Sequence, residues 1–303
     1  MTSPEKPESV LFIGVGNMGW PMAARLHAAG FRLAVNDATE ARARAFAVQV
    51  GGRLALDTAD EVAEADVVVT MLPTSRHVAA VVDGLHPRLR AGQVVIDMTS
   101  GMPSVTQSIA AGLSQLGVSM VDAPVSGGVS RAVSGDLAIM GGGDDVVLDR
   151  VDALLRTMGS TIHRIGPIGS GQAMKALNNL VSAGGFLIGI EALIIGQKFG
   201  IDASLMTDVL NASTGMNNST QKKFKQFVLS RTFDSGFGLD LMVKDLSIAL
   251  GIARDVDAPS PFASLCRELG AAAATLLGPG QDHTALAKLS ETLSRVELTA
   301  TES

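Results

Sequence analysis

The stretch V-L-F-I-G-V-G-N-M-G-W-P-M-A, running from Val10 to Ala23, decides the fold. Four apolar residues suited to a buried strand lead into Gly14, Gly16 and Gly19, and a helix is expected from about Asn17. In this arrangement Gly14 permits the tight turn, Gly16 lets the backbone approach a pyrophosphate, and Gly19 allows close helix–strand packing. The N–H groups at the helix start, around Asn17 and Met18, then offer the phosphates the positive end of a helix dipole. A G-x-G-x-x-G triplet recurs by chance in a chain with 33 glycines. Here it has a strand before it, a helix after it and a second strand about twenty residues on, which is the context of a dinucleotide site. That second strand, Arg32–Asn36, runs into Asp37. A carboxylate there accepts hydrogen bonds from both hydroxyls of an adenosine ribose and repels a 2′-phosphate, unless Asp37 is merely a turn residue. Ala38 follows, not an arginine, so NAD is expected in preference to NADP; Arg42 and Arg44 further along either qualify that preference or sit on a solvated helix face.

Outward from this motif, β-rich runs alternate with helical stretches as far as about His163. Candidate strands are Val10–Ile13, Arg32–Asn36, Gly52–Leu56, Asp66–Met71, Gln93–Asp97, Val118–Val121 and Leu137–Met140. Uninterrupted apolar strands such as Val67-Val68-Val69 suit a parallel sheet covered on both faces. After about Gly171 no strand is evident. Helical stretches follow at Gln172–Phe199, Ala203–Asn211, Asn218–Leu229, Leu239–Arg254 and Pro261–Leu277, beyond the turn cluster G-P-I-G-S-G at Gly166–Gly171. The expected architecture is an α/β Rossmann-type open sheet followed by an all-α domain, joined by a long central helix. Residues 1–9 read as a disordered tail, 10–166 as the NAD-binding domain, and 167–303 as a helical domain for substrate and oligomerisation.

Composition narrows the function. With 303 residues and 47% hydrophobic content, the chain can bury a large core. A net charge of −6 with no basic run argues against nucleic acid. One cysteine, Cys266, excludes an internal disulfide or a cysteine-rich zinc site and reads as a small buried hydrophobe. There is no tyrosine, which closes any scheme needing a tyrosine acid, such as that of short-chain dehydrogenases. The histidines His27, His77, His86, His163 and His283 have no metal-ligand spacing; surface or satisfied positions are expected, and no metal. Met1–Glu8 lacks a secretory apolar run, and Leu180–Ile195 is interrupted by Glu191 and three glycines. A buried helix, no membrane and a cytoplasmic protein are therefore expected.

Four more segments stand out: Met71–Pro73 (M-L-P), Asp97–Ser100 (D-M-T-S), Asp122–Gly128 (D-A-P-V-S-G-G) and Gly169–Asn179 (G-S-G-Q-A-M-K-A-L-N-N). Lys175 and Asn179 are four apart on the expected helix and share a face, which Ser182 extends. The rest of that helix is apolar nearly all round, so it is expected to be buried. Burial would lower the Lys175 pKa into a range that suits a general acid/base on a carbonyl or hydroxyl oxygen.

Together with the N-terminal motif and F-G-L-D-L-M-V-K-D-L at Phe237–Leu246, these segments resemble the β-hydroxyacid dehydrogenase family over nearly the whole chain. That family includes 3-hydroxyisobutyrate dehydrogenase and tartronate semialdehyde reductase, and is related to 6-phosphogluconate dehydrogenase. The resemblance implies that Lys175 handles the proton while hydride passes to or from NAD. It implies that Ser126, Gly127 and Gly128 bind the substrate carboxylate, Asn179 orients it and Phe237 packs beside it. It further implies cofactor contacts from Leu72, Pro73 and Ser100, the last standing where relatives usually carry Thr, and from Lys244 and Asp245.

Two positions stay open. Asn217 and Asn218 either make the substrate pocket more polar or cap the next helix, and Arg131 is either a second anion contact or a solvated charge. Small residues around Gly185 and Gly189 point to a helix–helix surface and a homodimer or homotetramer. The expected function is NAD-dependent interconversion of a small β-hydroxy acid and its semialdehyde. The alternatives are an NADPH-dependent reductase of glyoxylate, succinic semialdehyde or an imine, and a non-catalytic NAD-binding adaptor.

Overall fold

The computed structural model describes residues 9–299; most of the expected N-terminal tail lies outside them. Among the described residues nine strands form one sheet: β1 (Ser9–Ile13), β2 (Arg32–Asn36), β3 (Arg53–Leu54), β4 (Val67–Thr70), β5 (Val94–Asp97), β6 (Ser119–Asp122), β7 (Val125–Ser126), β8 (Ala138–Gly142) and β9 (Thr161–Gly166). The order is β3-β2-β1-β4-β5-β6-β8-β7, with β9 also paired to β8. The strands from β3 to β6 are parallel, β8 is antiparallel to β6 and β7, and β9 runs parallel to β8. Strand order reverses between β1 and β4, the topological switch point at which open α/β sheets bind ligands.

The side-chain alternation of the strands explains the layering. Val10, Phe12, Val35, Val67, Val69 and Ile96 enter one core, while Leu11, Ile13, Ala34, Val68 and Val95 enter another. Successive residues point to opposite faces, so an apolar run buries both sides of the sheet. The helices of this part are α1 (Gly19–Ala28), α2 (Glu40–Gln49), α3 (Thr58–Glu64), α4 (Ser75–Leu85), α5 (Pro103–Ser114), α6 (Gly128–Ser134) and α7 (Asp145–Met158). Met22 and Leu26 of α1 join Leu148, Val151 and Leu155 of α7 in the first core. Val62, Val78, Val82 and Leu113 of α3, α4 and α5 fill the second.

The remaining helices are α8 (Ser170–Phe199), α9 (Ala203–Asn211), α10 (Asn218–Lys222), α11 (Leu239–Asp255), α12 (Pro261–Leu277) and α13 (Ala287–Ser294). The chain divides into two compact units, the first through Lys175 and the second from Ala176. This border falls inside α8 rather than in the glycine turn before it.

Several expectations are corrected. Ser9 belongs to β1 and not to a tail, because its N–H and hydroxyl both donate to the Asp66 carboxylate, at 3.1 and 2.7 Å. Strands β7 and β9 were not expected: β7 is two residues long, and β9 is a mostly exposed edge whose sequence T-I-H-R-I-G has little apolar content. The expected helix Asn218–Leu229 breaks at Lys223, after which Phe224–Leu229 winds as a π-helix. A short 3₁₀ turn, His283–Leu286, and α13 were also not expected.

Helix α8 is not buried all round. Leu177, Val181, Ile188 and Ile195 follow one face and are 41–75% exposed. Gly185 and Gly189, expected at an intermolecular surface, instead serve the chain's own packing. A Cβ on Gly185 would press on the Asn217 side chain, and one on Gly189 would enter the Phe224 ring.

Candidate active site

In the first unit, the glycine motif separates into three physical roles. Gly14 has φ +101°, a conformation open to glycine, and a Cβ there would strike the Met71 carbonyl. A Cβ on Gly19 would strike the Gly14 carbonyl oxygen, so strand and helix meet there without room for a side chain. Gly16 differs from both, because a Cβ there meets nothing within 4 Å. The open space in front of Gly16 is what a bound pyrophosphate would need. Helix α1 begins at Gly19, slightly later than expected, with Met18 as an N-cap that makes no side-chain hydrogen bond. Its first turn also lacks an acidic residue, leaving its amide dipole to an anion.

At the end of β2 the Asp37 carboxylate accepts from Val15 N at 3.0 Å and Thr39 N at 2.8 Å. Arg42 Nη1 also donates to it at 3.1 Å, and the Asp37 side chain is only 7% exposed. Arg42 therefore does not simply occupy a solvated face; the reach of its side chain back to residue 37 pairs it with the ribose-binding candidate. Arg44 pairs with Glu40 on the surface. Beside Asp37, a cavity of about 120 Å³ is lined by residues that include Asn36, Ala43, Leu54 and Ala55. The open Gly16 cradle, the bare helix start and this acid-edged cavity fit a dinucleotide.

The loops after β4 and β5 carry Leu72, Pro73 and Ser100. They are cross-linked: Leu72 N donates to Thr99 Oγ1 at 3.0 Å, and Met102 N donates to Ser75 Oγ at 2.6 Å. Ser126 ends β7, and Gly127 (φ +139°) and Gly128 turn the chain into α6. The Arg131 stem lies over Gly127, where a Cβ would collide with it. Its guanidinium has no ion-pair or hydrogen-bond partner among the described residues.

Lys175 stands in the second turn of α8, half-buried and not fully buried as expected, because the helix exposes one face. The start of that helix is anchored to the strand ends. Asp122 Oδ1 accepts from Gly169 N and Oδ2 from Gln172 N, each at 2.7 Å. The Gln172 side chain accepts from Gly101 N at 2.7 Å and donates to Thr99 O at 2.7 Å and Asp97 Oδ2 at 3.3 Å. Burial pushes the Asp97 carboxyl up to about 6, against the opposing pull of its bonds from Thr99 and Thr70. Asp122 is shifted upward by the same cause.

In the second unit, Asn179 is buried and donates to Asp245 Oδ2 at 2.5 Å. Asp245 is itself buried and pairs with Lys244 at 3.3 Å. Lys223 Nζ donates to Ser182 Oγ at 3.3 Å, so the face bearing Asn179 stays polar at Ser182. Asn217 is an N-cap: its Oδ1 accepts from Ser219 N and Thr220 N, and Thr220 Oγ1 accepts from Asn217 N. Its amide Nδ2 donates to Gly185 O, so both polar ends are committed to structure.

Phe237 sits on a loop clamped by Asp282, which accepts from Gly236 N at 2.8 Å and Phe237 N at 3.1 Å. Its ring meets that of His283, centroids 5.5 Å apart. His283 is neither a surface nor a satisfied histidine: it is 3% exposed and its Nε2 has no partner. Burial pushes its pKa down, and Nδ1 faces the Phe237 carbonyl, a geometry that suits a neutral ring protonated at Nδ1. Composition and spacing gave no signal for His283. Asp97, Asp122 and Gln172 did lie within the quoted motifs, yet their pairing across the fold had no sequence signature.

Residues 9–166 match the family described as the NAD binding domain of 6-phosphogluconate dehydrogenase, and residues 169–290 that of NADP-dependent 3-hydroxyisobutyrate dehydrogenase. A 2-(hydroxymethyl)glutarate dehydrogenase from Eubacterium barkeri is 32% identical, over 97% of this chain and 98% of that protein. An NAD-dependent L-serine dehydrogenase from Pseudomonas aeruginosa is 34% identical, over 86% of this chain and 91% of its own. Among solved structures, 3-hydroxyisobutyrate dehydrogenase from Mycobacterium tuberculosis, bound to L-serine, superposes with a TM-score of 0.86 at 31% identity. That match covers 94% of this chain and 99% of the other. Family matches across both units and relatives above 30% identity over most of the length make this chain an NAD-binding oxidoreductase of the β-hydroxyacid dehydrogenase family.

Proposed function

We propose that the protein oxidises a small β-hydroxy acid to its semialdehyde, and catalyses the reverse reduction, with Lys175 as the general acid/base. The observation that carries this reading is the anchoring of the helix that bears Lys175 to the ends of β5 and β6. β1, β4, β5 and β6 run parallel, so these strand ends lie at the same C-terminal end of the sheet as the Gly14–Gly19 turn and the Leu72 and Ser100 loops. NAD, when bound, supplies the hydride acceptor. The Lys175 amine takes the substrate hydroxyl proton in oxidation and returns it to the forming alkoxide in reduction. Ser126, Gly127 and Gly128 bind the substrate carboxylate through the hydroxyl and close-approaching backbone, and Asn179, one turn beyond Lys175, orients it. The family resemblance assigns Lys244 and Asp245 to the cofactor and Phe237 to the substrate. The substrates named for the two relatives, 2-(hydroxymethyl)glutarate and L-serine, are both β-hydroxy acids, which supports this class.

The test is NADH formation with 3-hydroxyisobutyrate, 3-hydroxypropionate, L-serine, glycerate and 2-(hydroxymethyl)glutarate, each with NAD and NADP. Turnover of at least one with NAD is expected. Silence across the panel with NAD bound would overturn the reading in favour of imine chemistry or an adaptor.

Asp37 sets the preference for NAD. Replacing it with serine removes the carboxylate that repels a 2′-phosphate and frees Arg42 to pair with that phosphate. The ratio of kcat/KM with NADP to that with NAD is expected to rise about 10²-fold, roughly 2.7 kcal/mol. An unchanged ratio would remove Asp37 from this role.

The exposed Leu177–Val181–Ile188–Ile195 face of α8 supports a homodimer or homotetramer. Sedimentation at micromolar concentration should give a dimer or larger, and Val181→Asp with Ile188→Asp should shift it to monomer. A wild-type monomer would refute the assembly.

A further inference from the structure

We infer that Gln172, held between the buried carboxylates of Asp97 and Asp122, is the positioning residue that ties the cofactor-side loop Thr99–Gly101 to the helix turn carrying Lys175. This rests on the reading of Lys175 as the acid/base group.

The wiring is specific to each atom. Asp97, at the end of β5, accepts from Thr70 Oγ1 of β4 and from Thr99 N with one oxygen, both at 3.0 Å, and from Gln172 Nε2 with the other at 3.3 Å. Asp122, at the end of β6, accepts the Gly169 and Gln172 amides and so caps α8 from outside the helix. The Gln172 amide group uses its oxygen on Gly101 N and its nitrogen on Thr99 O and Asp97. Gln172 is buried, and Lys175 follows three residues later, on the next turn. Thr99 in turn receives Leu72 N. One side chain thus connects both loops proposed to touch the cofactor with the helix start that places the amine.

The arrangement also explains the amino-acid choice. Thr99 O requires a donor and Gly101 N requires an acceptor, and an amide offers both. A carboxylate in its place offers no donor and would stand against Asp97, with Asp122 the other charged group facing it and β4 contributing only the neutral Thr70. Gly171 is needed as well, since a Cβ there would strike the Met140 carbonyl and the Asp122 carboxylate.

The experiment compares Gln172→Met and Gln172→Glu with wild type in two readouts. The first is kcat per NAD-binding site, with the NAD Kd measured separately. The second, independent of turnover, is the pH dependence of Lys175 labelling by an amine-reactive reagent, followed on its peptide by mass spectrometry. For Gln172→Met, kcat per site should fall about 10²-fold while the NAD Kd stays within about threefold, since a misplacement near 1 Å has that effect. The labelling midpoint should move by about half a pH unit or more. Gln172→Glu should recover toward wild type as pH falls, because only the protonated carboxyl regains a donor. Labelling profiles that superimpose on wild type in both variants would overturn the inference, as would losses of kcat and NAD affinity in equal measure. If Gln172→Met fails to fold, Gln172→Glu decides alone, and absence of its low-pH recovery counts against the proposal. If wild type turns over no substrate, the functional reading fails while the labelling profiles still decide the role of Gln172.

Discussion

Lys175→Met is expected to lower kcat by about 10³-fold while leaving the NAD Kd within about threefold, because general acid–base catalysis is worth 10² to 10⁴ in rate. Methionine keeps the length and apolar stem of the lysine, so α8 and the hydrogen bonds at its start should survive. The loss should appear in kcat and kcat/KM together, as it does when an interaction made in the transition state is removed. The checks are steady-state kinetics with the best substrate of the panel and fluorescence titration of NAD. Near-normal turnover would show that another group handles the proton and would dismiss the proposed mechanism. Loss of NAD binding in parallel would instead make Lys175 a cofactor residue.

The second large effect separates two glycines of one motif. Gly19→Ala forces a Cβ into the Gly14 carbonyl oxygen, with the Phe12 ring close behind, and backbone cannot yield as a flexible side chain can. The expected result is a destabilisation of about 3 kcal/mol or more, with a marked fall in Tm and no measurable NAD binding. Gly16→Ala should behave in the opposite way. Its Cβ enters open space, so Tm should stay within a few degrees of wild type, while the NAD Kd rises about 10²-fold because the methyl occupies the room for the pyrophosphate. Thermal melts and NAD titrations of the two variants test the pair. Normal NAD affinity in Gly16→Ala would mean that the cradle does not hold phosphate.

The Rossmann-type sheet could be read from the chain because its signals are local. Val10–Ile13 and Val67–Val69 are apolar at consecutive positions, a pattern that suits short strands buried on both faces. Gly14 and Gly19 could be assigned for a similar reason, since the turn and the packing of Gly19 on the Gly14 carbonyl act within a few residues. Strand β9 escaped because an edge strand buries little and so leaves little alternation. The break at Lys223 escaped because a π-helix keeps a helical composition while shifting the register. Helix α8 misled for a different reason: hydropathy records that a face is apolar, and not whether the chain's own residues cover it.

The same division holds at the site. Sequence by itself determined the motif order, the strand–glycine turn–helix at residues 10–28, the acid at residue 37 and the Lys175–Asn179 spacing on one helix face, all properties of neighbours in the chain. Only the tertiary structure decided that Arg42 leans on Asp37, that Asn217 caps a helix, that His283 is buried with a bare Nε2, and that Asp97 and Asp122 grip the start of α8. The last of these bonds join residues 47 to 75 positions apart. Hydrogen bonds of that kind depend on where strand ends and helix starts are brought together, a matter of packing that no local periodicity encodes.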